Sequence, residues 1–283
     1  MELKAMLAGI EAATEARNPR APGDYEQEGL LYCGKCRTPK QVKITLFGEE
    51  RRPYCLCKCQ KALETAREES DKMLQKMQHA RELREMAFKG DDMRACTFSR
   101  DDGENARVSQ IGRKYAENFT EMKRAGKGLL FFGGVGTGKS FMAACIVNAL
   151  VDACRPCLMT SFARMLNVLD SAGEKRQATI DRLNDFDLLV IDDLSAERNT
   201  EYMSEFVQMV IDARYRARLP LIVTTNLSSE EIKHPADVRR KRIYSRIMEM
   251  CLPVEFTGGD RRRAKLRDDY NAFSELLGMG GQA

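Results

Sequence analysis

The sequence contains no run of about 18 apolar residues, so it offers no helix suited to spanning a bilayer. Its opening stretch, MELKAMLAGIEAATEARNPR, is acidic and amphipathic and lacks the basic-then-apolar order of a secretory signal. A cytoplasmic protein without membrane association is expected. A dominant charge of one sign is also missing. Lys and Arg number 46 against 42 Asp and Glu, a net charge of +4, which excludes a histone-like polycation and leaves any nucleic-acid contact to local clustering. No internal repeat is visible. Ten cysteines in a cytoplasmic chain do not read as a disulfide framework, and their placement says more than their number, because half of them fall between Cys33 and Cys59. With 283 residues there is room for one α/β domain and a smaller appendage.

What is present centres on Gly133-Gly134-Val135-Gly136-Thr137-Gly138-Lys139-Ser140, which follows the apolar run Leu129 to Phe132 and precedes the helical run Phe141 to Ala153. It fits G-x-x-x-x-G-K-[ST], the phosphate-binding loop. Backbone N–H groups can wrap a triphosphate only where small residues permit close approach and φ > 0, a need that Gly133, Gly134, Gly136 and Gly138 are expected to meet. The helix opening at Lys139 adds its N-terminal dipole. Lys139 is expected to neutralise the β- and γ-phosphate oxygens of ATP, and the Ser140 hydroxyl to ligate Mg²⁺. The nucleotide set runs on to Phe141.

Ahead of this loop lie Cys33 and Cys36 in a C-x-x-C knuckle, a β-prone hairpin-like stretch from Lys40 to Arg52, and then Cys55, Cys57 and Cys59. A tetrahedral Zn²⁺ site suits that layout, since a module this small has too little core to fold without a staple. Four of the five sulfurs suffice, and the sequence does not choose among Cys55, Cys57 and Cys59. Reduced structural cysteines are the competing reading. Gln60 to about Lys89 contains no Pro or Gly and carries a thin apolar stripe at Leu63, Ala66, Met73, Met77, Ala80 and Ala87, predicting one long helix that serves as a spacer or as a docking surface. The expected division is 1–60 for the zinc module, 61–92 for the helical linker and 93–283 for the ATPase.

Within the last part, a helix is predicted over Val108 to Ala125. Strands are predicted at Cys157 to Thr160, Leu188 to Ile191, Leu221 to Thr225 and Pro253 to Phe256, besides the one feeding the loop. Apolar runs alternating with helices indicate a parallel sheet covered on both faces. Leu188 to Ile191 ends in Asp192 and Asp193, which places two carboxylates beside the phosphates: Asp192 to hold Mg²⁺, Asp193 to orient or activate water. Leu221 to Thr225 ends in Asn226. If its strand neighbours that of Asp192, Asn226 or Thr225 reaches the γ-phosphate or the water. Arg242 and Arg246 share a face of a predicted helix, Arg239 to Met250, and could serve a neighbouring subunit's nucleotide; a solvated basic face is the alternative. Between Arg239 and Arg267 ten basic residues stand against three acidic ones, enough for sequence-independent contact with phosphates.

The order of phosphate loop, VIDD, TTN and RIYSR resembles the AAA+ ATPases of the bacterial helicase-loader group, the DnaC and DnaI type, together with transposition helper ATPases of the IstB type, over residues 94 to 270 or so. The zinc module and helix in front are similar to phage and prophage loaders of that group. The resemblance implies an α/β fold: a P-loop AAA+ domain with a five-stranded parallel sheet, preceded by a small zinc-binding domain and a long linker helix. It implies that Lys139 and Ser140 are the Walker A residues, Asp192 and Asp193 the Walker B pair, and Asn226 sensor 1. Arg246, or second to it Arg242, matches the arginine finger, and one of Arg261, Arg262 and Arg263 matches the sensor 2 arginine. Asp193 stands where many AAA+ proteins have Glu, which suits slow hydrolysis, and no helical lid domain is expected. Implied partners are a replicative DNA helicase, further copies of the chain in a ring or helical assembly, and single-stranded DNA gripped around Ser161 to Asn167. For that last segment, a core helix with Phe162, Met165 and Leu166 inward is the plainer reading. The competing functions are a transposition helper, a small-molecule kinase, and a zinc-finger DNA-binding protein with a degenerate ATPase.

Overall fold

The computed structural model describes residues 9, 12–16, 18–46, 48–89, 92–161, 164–165, 176–194, 201–235, 238–277 and 279. They fall into two compact units, Met1–Lys76 and Met77–Ala283. The division lies inside the long helix rather than at the expected 60 and 92.

In the first unit, β1 (Tyr25–Gln27) pairs antiparallel with β2 (Leu30–Tyr32), and β3 (Ile44–Leu46) with β4 (Glu49–Arg51). The second hairpin is the predicted one. The first was not foreseen, because strands of three residues carry no readable alternation. Few apolar side chains are buried here, chiefly Leu31, Cys33 and Cys57. A buried ion pair adds order: Lys40 Nζ lies 2.7 Å from Asp24, with side chains 3% and 2% exposed, and also donates to the Pro19 carbonyl at 2.8 Å. Asp24 further accepts from the N–H groups of Ala21 and Gly34, which ties it to the knuckle between Cys33 and Cys36.

Helix α1 runs from Lys58 to Phe88, close to the predicted span. Its predicted stripe is only partly used. Leu63, Met73 and Met77 are exposed, while Ala80 and Ala87 of the stripe are buried together with Leu83 and Phe88, which it did not include. The predicted helix over 108–125 is two helices, α2 (Ala106–Glu117) and α3 (Phe119–Ala125). Asn118 breaks it, donating its amide back to the Lys114 carbonyl at 2.8 Å, one of the local bonds by which Asn competes with helical continuation.

The second unit is built on a parallel sheet of β5 (Gly128–Gly133), β6 (Cys157–Ser161), β7 (Leu188–Asp192), β8 (Leu221–Thr225) and β9 (Cys251–Phe256), in the order β6-β7-β8-β5-β9. These strands match the predicted ones to within two residues at their ends. Alternate residues supply two cores. Leu129, Phe131, Leu188, Val190 and Ile222 meet α2, α3 and α4 (Lys139–Asp152) with the last turns of α1. Leu130, Phe132, Leu189, Ile191, Leu221 and Val223 meet α5 (Arg176–Asn184), α6 (Glu201–Ala217), α7 (Ser229–Lys233) and α8 (Val238–Met250). The final helix, α9, spans Arg261–Leu276.

One cation is built into this core. Arg214 of α6 is 0% exposed and donates to the carbonyls of Leu183, Phe186, Asp187 and Pro220, at the amino ends of β7 and β8. Burial draws its guanidinium down to about 10, leaving it charged at neutral pH. Among the described residues no helix is long and apolar enough to cross a membrane.

Burial alone would raise the Asp24 carboxyl, but the bonds from Lys40 and from the Ala21 and Gly34 N–H groups outweigh it and hold the group down to about 2. The stabilisation is therefore complete above the ordinary carboxylate value of 3.8 and is lost as pH falls towards 2. Asp24→Asn should destabilise the first unit by about 3 kcal/mol, because it strands the Lys40 charge. Amide hydrogen exchange of residues 25–57 in the full chain, faster in the variant at pH 7, measures this.

Candidate functional site

The sheet order places β8 between the loop-bearing strand β5 and the carboxylate-bearing strand β7, so the carboxyl ends of all three open onto one crevice. Val135, Gly136, Thr137, Gly138, Lys139, Ser140 and Phe141 line a cleft of about 350 Å³ there, facing Asp192, Asp193, Thr224, Asn226 and Arg262. Gly133, Gly136 and Gly138 have φ of 132°, 75° and 96°, and a Cβ on Gly136 would come within 1.9 Å of the Asp260 carboxylate. Gly134 departs from expectation: its φ lies outside the left-handed region, and a Cβ there would meet only the Thr137 methyl at 3.7 Å.

Lys139 opens α4 and is 6% exposed. Its Nζ donates to the carbonyls of Gly133 at 2.9 Å and Gly134 at 2.6 Å, holding the loop closed beneath the phosphate position. Burial lowers its pKa, the nearby Asp193 and Asp192 oppose that, and Arg262 adds to it. A cation clamped by carbonyls and crowded by a second cation is suited to an anionic ligand.

The acids are positioned by a residue that sequence reasoning missed. Thr224, 1% exposed in β8, donates its hydroxyl to Asp192 at 2.7 Å and accepts the Asp193 N–H at 2.8 Å. Asp193 has φ of 52°, and its carboxylate accepts from the Asn226 amide at 3.0 Å. Asn226, expected near the γ-phosphate or the water, thus stands beside Asp193. Thr225 does not share it: it is 0% exposed, and its hydroxyl turns to the Leu194 carbonyl. Nothing in the sequence alone singles out Thr224, because its role follows from the register that sets β8 beside β7.

Of the three arginines at the start of α9, Arg262 lines the cleft. Arg261 pairs with Asp102 at 2.9 Å and with Glu104 at 3.6 Å, and its N–H donates to the Gly136 carbonyl at 3.1 Å. Arg263 lies 3.5 Å from Asp260. Arg246 is not brought into the cleft. It sits on α8, stacked 4.5 Å over Tyr215 and within 3.6 Å of Asp212 and 3.3 Å of Glu249. Arg242 is exposed on the same helix. Of the segment 161–167, Phe162, Ala163, Leu166 and Asn167 lie outside the described residues, while Met165 is buried in the core as the plainer reading had it.

In the first unit the sulfur atoms of Cys33, Cys36, Cys57 and Cys59 all lie within 4.8 Å of one another. Cys59 Sγ is 3.2 Å from Cys57 Sγ and 3.6 Å from Cys33 Sγ, near the spacing of about 3.8 Å that Zn–S bonds of about 2.3 Å set on a tetrahedron. Cys55 stands outside the group, its thiol toward the Pro39 carbonyl at 3.6 Å. The Thr38 hydroxyl draws the Cys36 thiol down to about 5, and bonds from Cys57 and Cys33 push Cys59 up to about 12. Packed together in this way, four sulfurs fit a thiophilic dication that would let all of them ionise.

Thr224→Val keeps the shape of the strand but frees both acids. ATP affinity should stay within about threefold while single-turnover hydrolysis falls at least tenfold. Elemental analysis checks the cysteine assignment: Cys57→Ser should lower zinc clearly below one ion per chain, and Cys55→Ser should leave it unchanged.

The replicative helicase loader DnaI of Bacillus subtilis is 26% identical over 149 residues, covering 48% of this chain and 48% of that protein. The replicative helicase loader DnaC of Escherichia coli strain K12 is 27% identical over 124 residues, covering 42% of this chain and 49% of that protein. The chain thus spans about half the length of the curated relatives it matches. A crystal structure of DnaI aligns at 25% identity over 60% of this chain and 92% of that one, with a TM-score of 0.49. The family model of the IstB-like ATP binding proteins matches residues 61–267, from within α1 through the start of α9, and the chain belongs to that family.

Proposed function

We propose that the protein is an ATPase that loads a replicative DNA helicase onto single-stranded DNA. The observation that carries the ATPase reading is the convergence of Lys139, Asp192, Asp193, Asn226 and Arg262 on one glycine-lined cleft. Ser140 and Asp192 would hold Mg²⁺ there. Bound, the ion would supply neutralisation of phosphate charge. Lys139 leaves its carbonyl partners for the phosphate oxygens. Asp193 and Asn226, already bonded to each other, hold the attacking water in line, and Asp193 accepts its proton.

Arg246 lies outside the cleft of its own chain, half-exposed on the outer side of α8, which supports its service to the nucleotide of a neighbouring copy. ATP then acts as the adhesive of an assembly. In that assembly the basic residues around α8 and α9 face DNA, and release follows hydrolysis. Helicase loading is supported by the names of the relatives, DnaI and DnaC, and by the cysteine cluster set ahead of the ATPase. A transposition helper is the second reading, favoured by the IstB-like family itself. The full chain mixed with a replicative helicase and protein-coated circular single-stranded DNA carrying an annealed oligonucleotide should give oligonucleotide release that requires both this chain and ATP. Its absence, with recovery of a transposase as binding partner, would favour the second reading.

Lys139→Ala should abolish ATP binding, and normal affinity in that variant overturns the site. Arg246→Ala should bind ATP normally but hydrolyse it about a thousandfold more slowly. An equimolar mixture of the two variants restores hydrolysis if Arg246 acts in trans, because one supplies the loop and the other the arginine.

A further inference from the structure

The cleft has a second end. Beyond the glycine loop it is walled by Met93, Cys96 and Val135, side chains with no charge to offer a phosphate. Met93 and Cys96 belong to a short helical turn, Asp92–Ala95, and the extended residues after it, with only local backbone bonds such as Cys96 N–H to Met93 O at 3.1 Å. Such a turn holds its place only if something else fixes it.

Met93 and Cys96 pack against the core over α4, and two polar contacts add to this, each involving one of two adjacent residues near the end of α1. Asn148, 1% exposed within α4, donates its side-chain amide to the carbonyls of Met93 at 3.1 Å and Cys96 at 2.8 Å, with Ala144 as a third acceptor at 3.1 Å. Its remaining acceptor, Oδ1, receives Nε of Arg84 at 3.1 Å, and the Arg84 guanidinium also reaches Asp152. The amide orientation that serves Met93 and Cys96 is therefore the one that Arg84 enforces: flipped, Asn148 would set its N–H against a guanidinium and its oxygen against two carbonyls. One residue further on, Glu85 holds Arg94 of the same turn at 2.7 Å.

We propose that Arg84 and Glu85 are positioning residues for the nucleoside end of the site, so that the last turns of α1 set the affinity for ATP without touching it. This rests on the nucleotide reading of the cleft. The triphosphate would be held by the loop, Lys139 and Arg262, whereas the apolar wall that would cover the base is braced by the Arg84–Asn148 and Glu85–Arg94 contacts. Binding of a partner to α1 and binding of nucleotide are then reciprocally linked: whatever displaces Arg84 weakens ATP, and ATP resists that displacement by the same factor.

The test separates the two ends of the ligand. Isothermal titration of the full chain with Mg-ATP and with Mg-tripolyphosphate, which has no base, is compared for the wild type, Arg84→Ala and Glu85→Gln. Each variant should raise the Kd for ATP about fivefold to tenfold, a loss of one charge-assisted hydrogen bond, and leave that for tripolyphosphate within about twofold. Arg84→Lys, which keeps the charge but not the fork, should recover only part of the loss. Equal weakening of both ligands would mean general loosening and would overturn the proposal, as would an unchanged ATP affinity in both variants. A wild type that binds tripolyphosphate and ATP alike overturns it too, since the wall then contributes nothing. A wild type that binds neither removes the nucleotide reading as well.

Discussion

The site depends on one buried hydroxyl. Thr224 accepts from the backbone of Asp193 while donating to the carboxylate of Asp192, so a single side chain of β8 fixes both the direction and the spacing of the two acids at the end of β7. Those roles cannot be divided. An acid at the end of a strand is otherwise free to point into solvent, and Asp193 adopts a left-handed φ that needs outside support. The same edge carries Leu194 N–H to Thr224 O and Thr225 hydroxyl to Leu194 O, so the last residue of β7 and the two that follow it are tied to β8. Asn226 then completes the row, and the carboxyl edge becomes a rigid bar facing the phosphate loop.

Much of this was legible in the sequence. Strands β5 and β7 were readable as unbroken apolar runs of four residues buried on both faces, and β6 and β8 as shorter buried runs passing into Thr or Ser, whereas β9, at the sheet edge, shows only alternate burial. The loop was readable because glycine spacing, lysine and helix start coincide. Thr224 was not, because a threonine in such a run looks like any β-branched filler until its neighbour is known. Nor was the break at Asn118, where the apolar period continues unchanged across a local side-chain bond. Among Arg261, Arg262 and Arg263 the sequence had no means of choosing. That choice is made by Asp102, Glu104 and Asp260, which engage two of the three and leave Arg262 turned to the cleft. The first hairpin escaped for want of length, and the exposed half of the α1 stripe shows that an amphipathic pattern records a capacity to be covered rather than the fact of it.

The first unit solves a different problem. With four three-residue strands and few buried apolar side chains, it cannot rely on hydrophobic burial. Its order comes from polar staples: the Lys40 and Asp24 pair, which also holds the Gly34 amide, and the four sulfurs beside it. The two are adjacent through Cys33-Gly34, so the carboxylate that neutralises Lys40 also shapes the turn that presents two of the sulfurs.

Arg214 has a consequence of its own. The residues on either side of it in α6, Asp212 and Tyr215, are those that hold Arg246. Arg214 itself is sunk among four carbonyls at the amino ends of β7 and β8. A helix pinned in this way cannot swing independently, because tilting it would strip a buried cation of its ligands. The outward-facing arginine is thus mounted on the same girder as the strands that end in Asp192 and Asn226. A load applied at one is carried to the other as displacement of a stiff frame rather than as rearrangement of side chains.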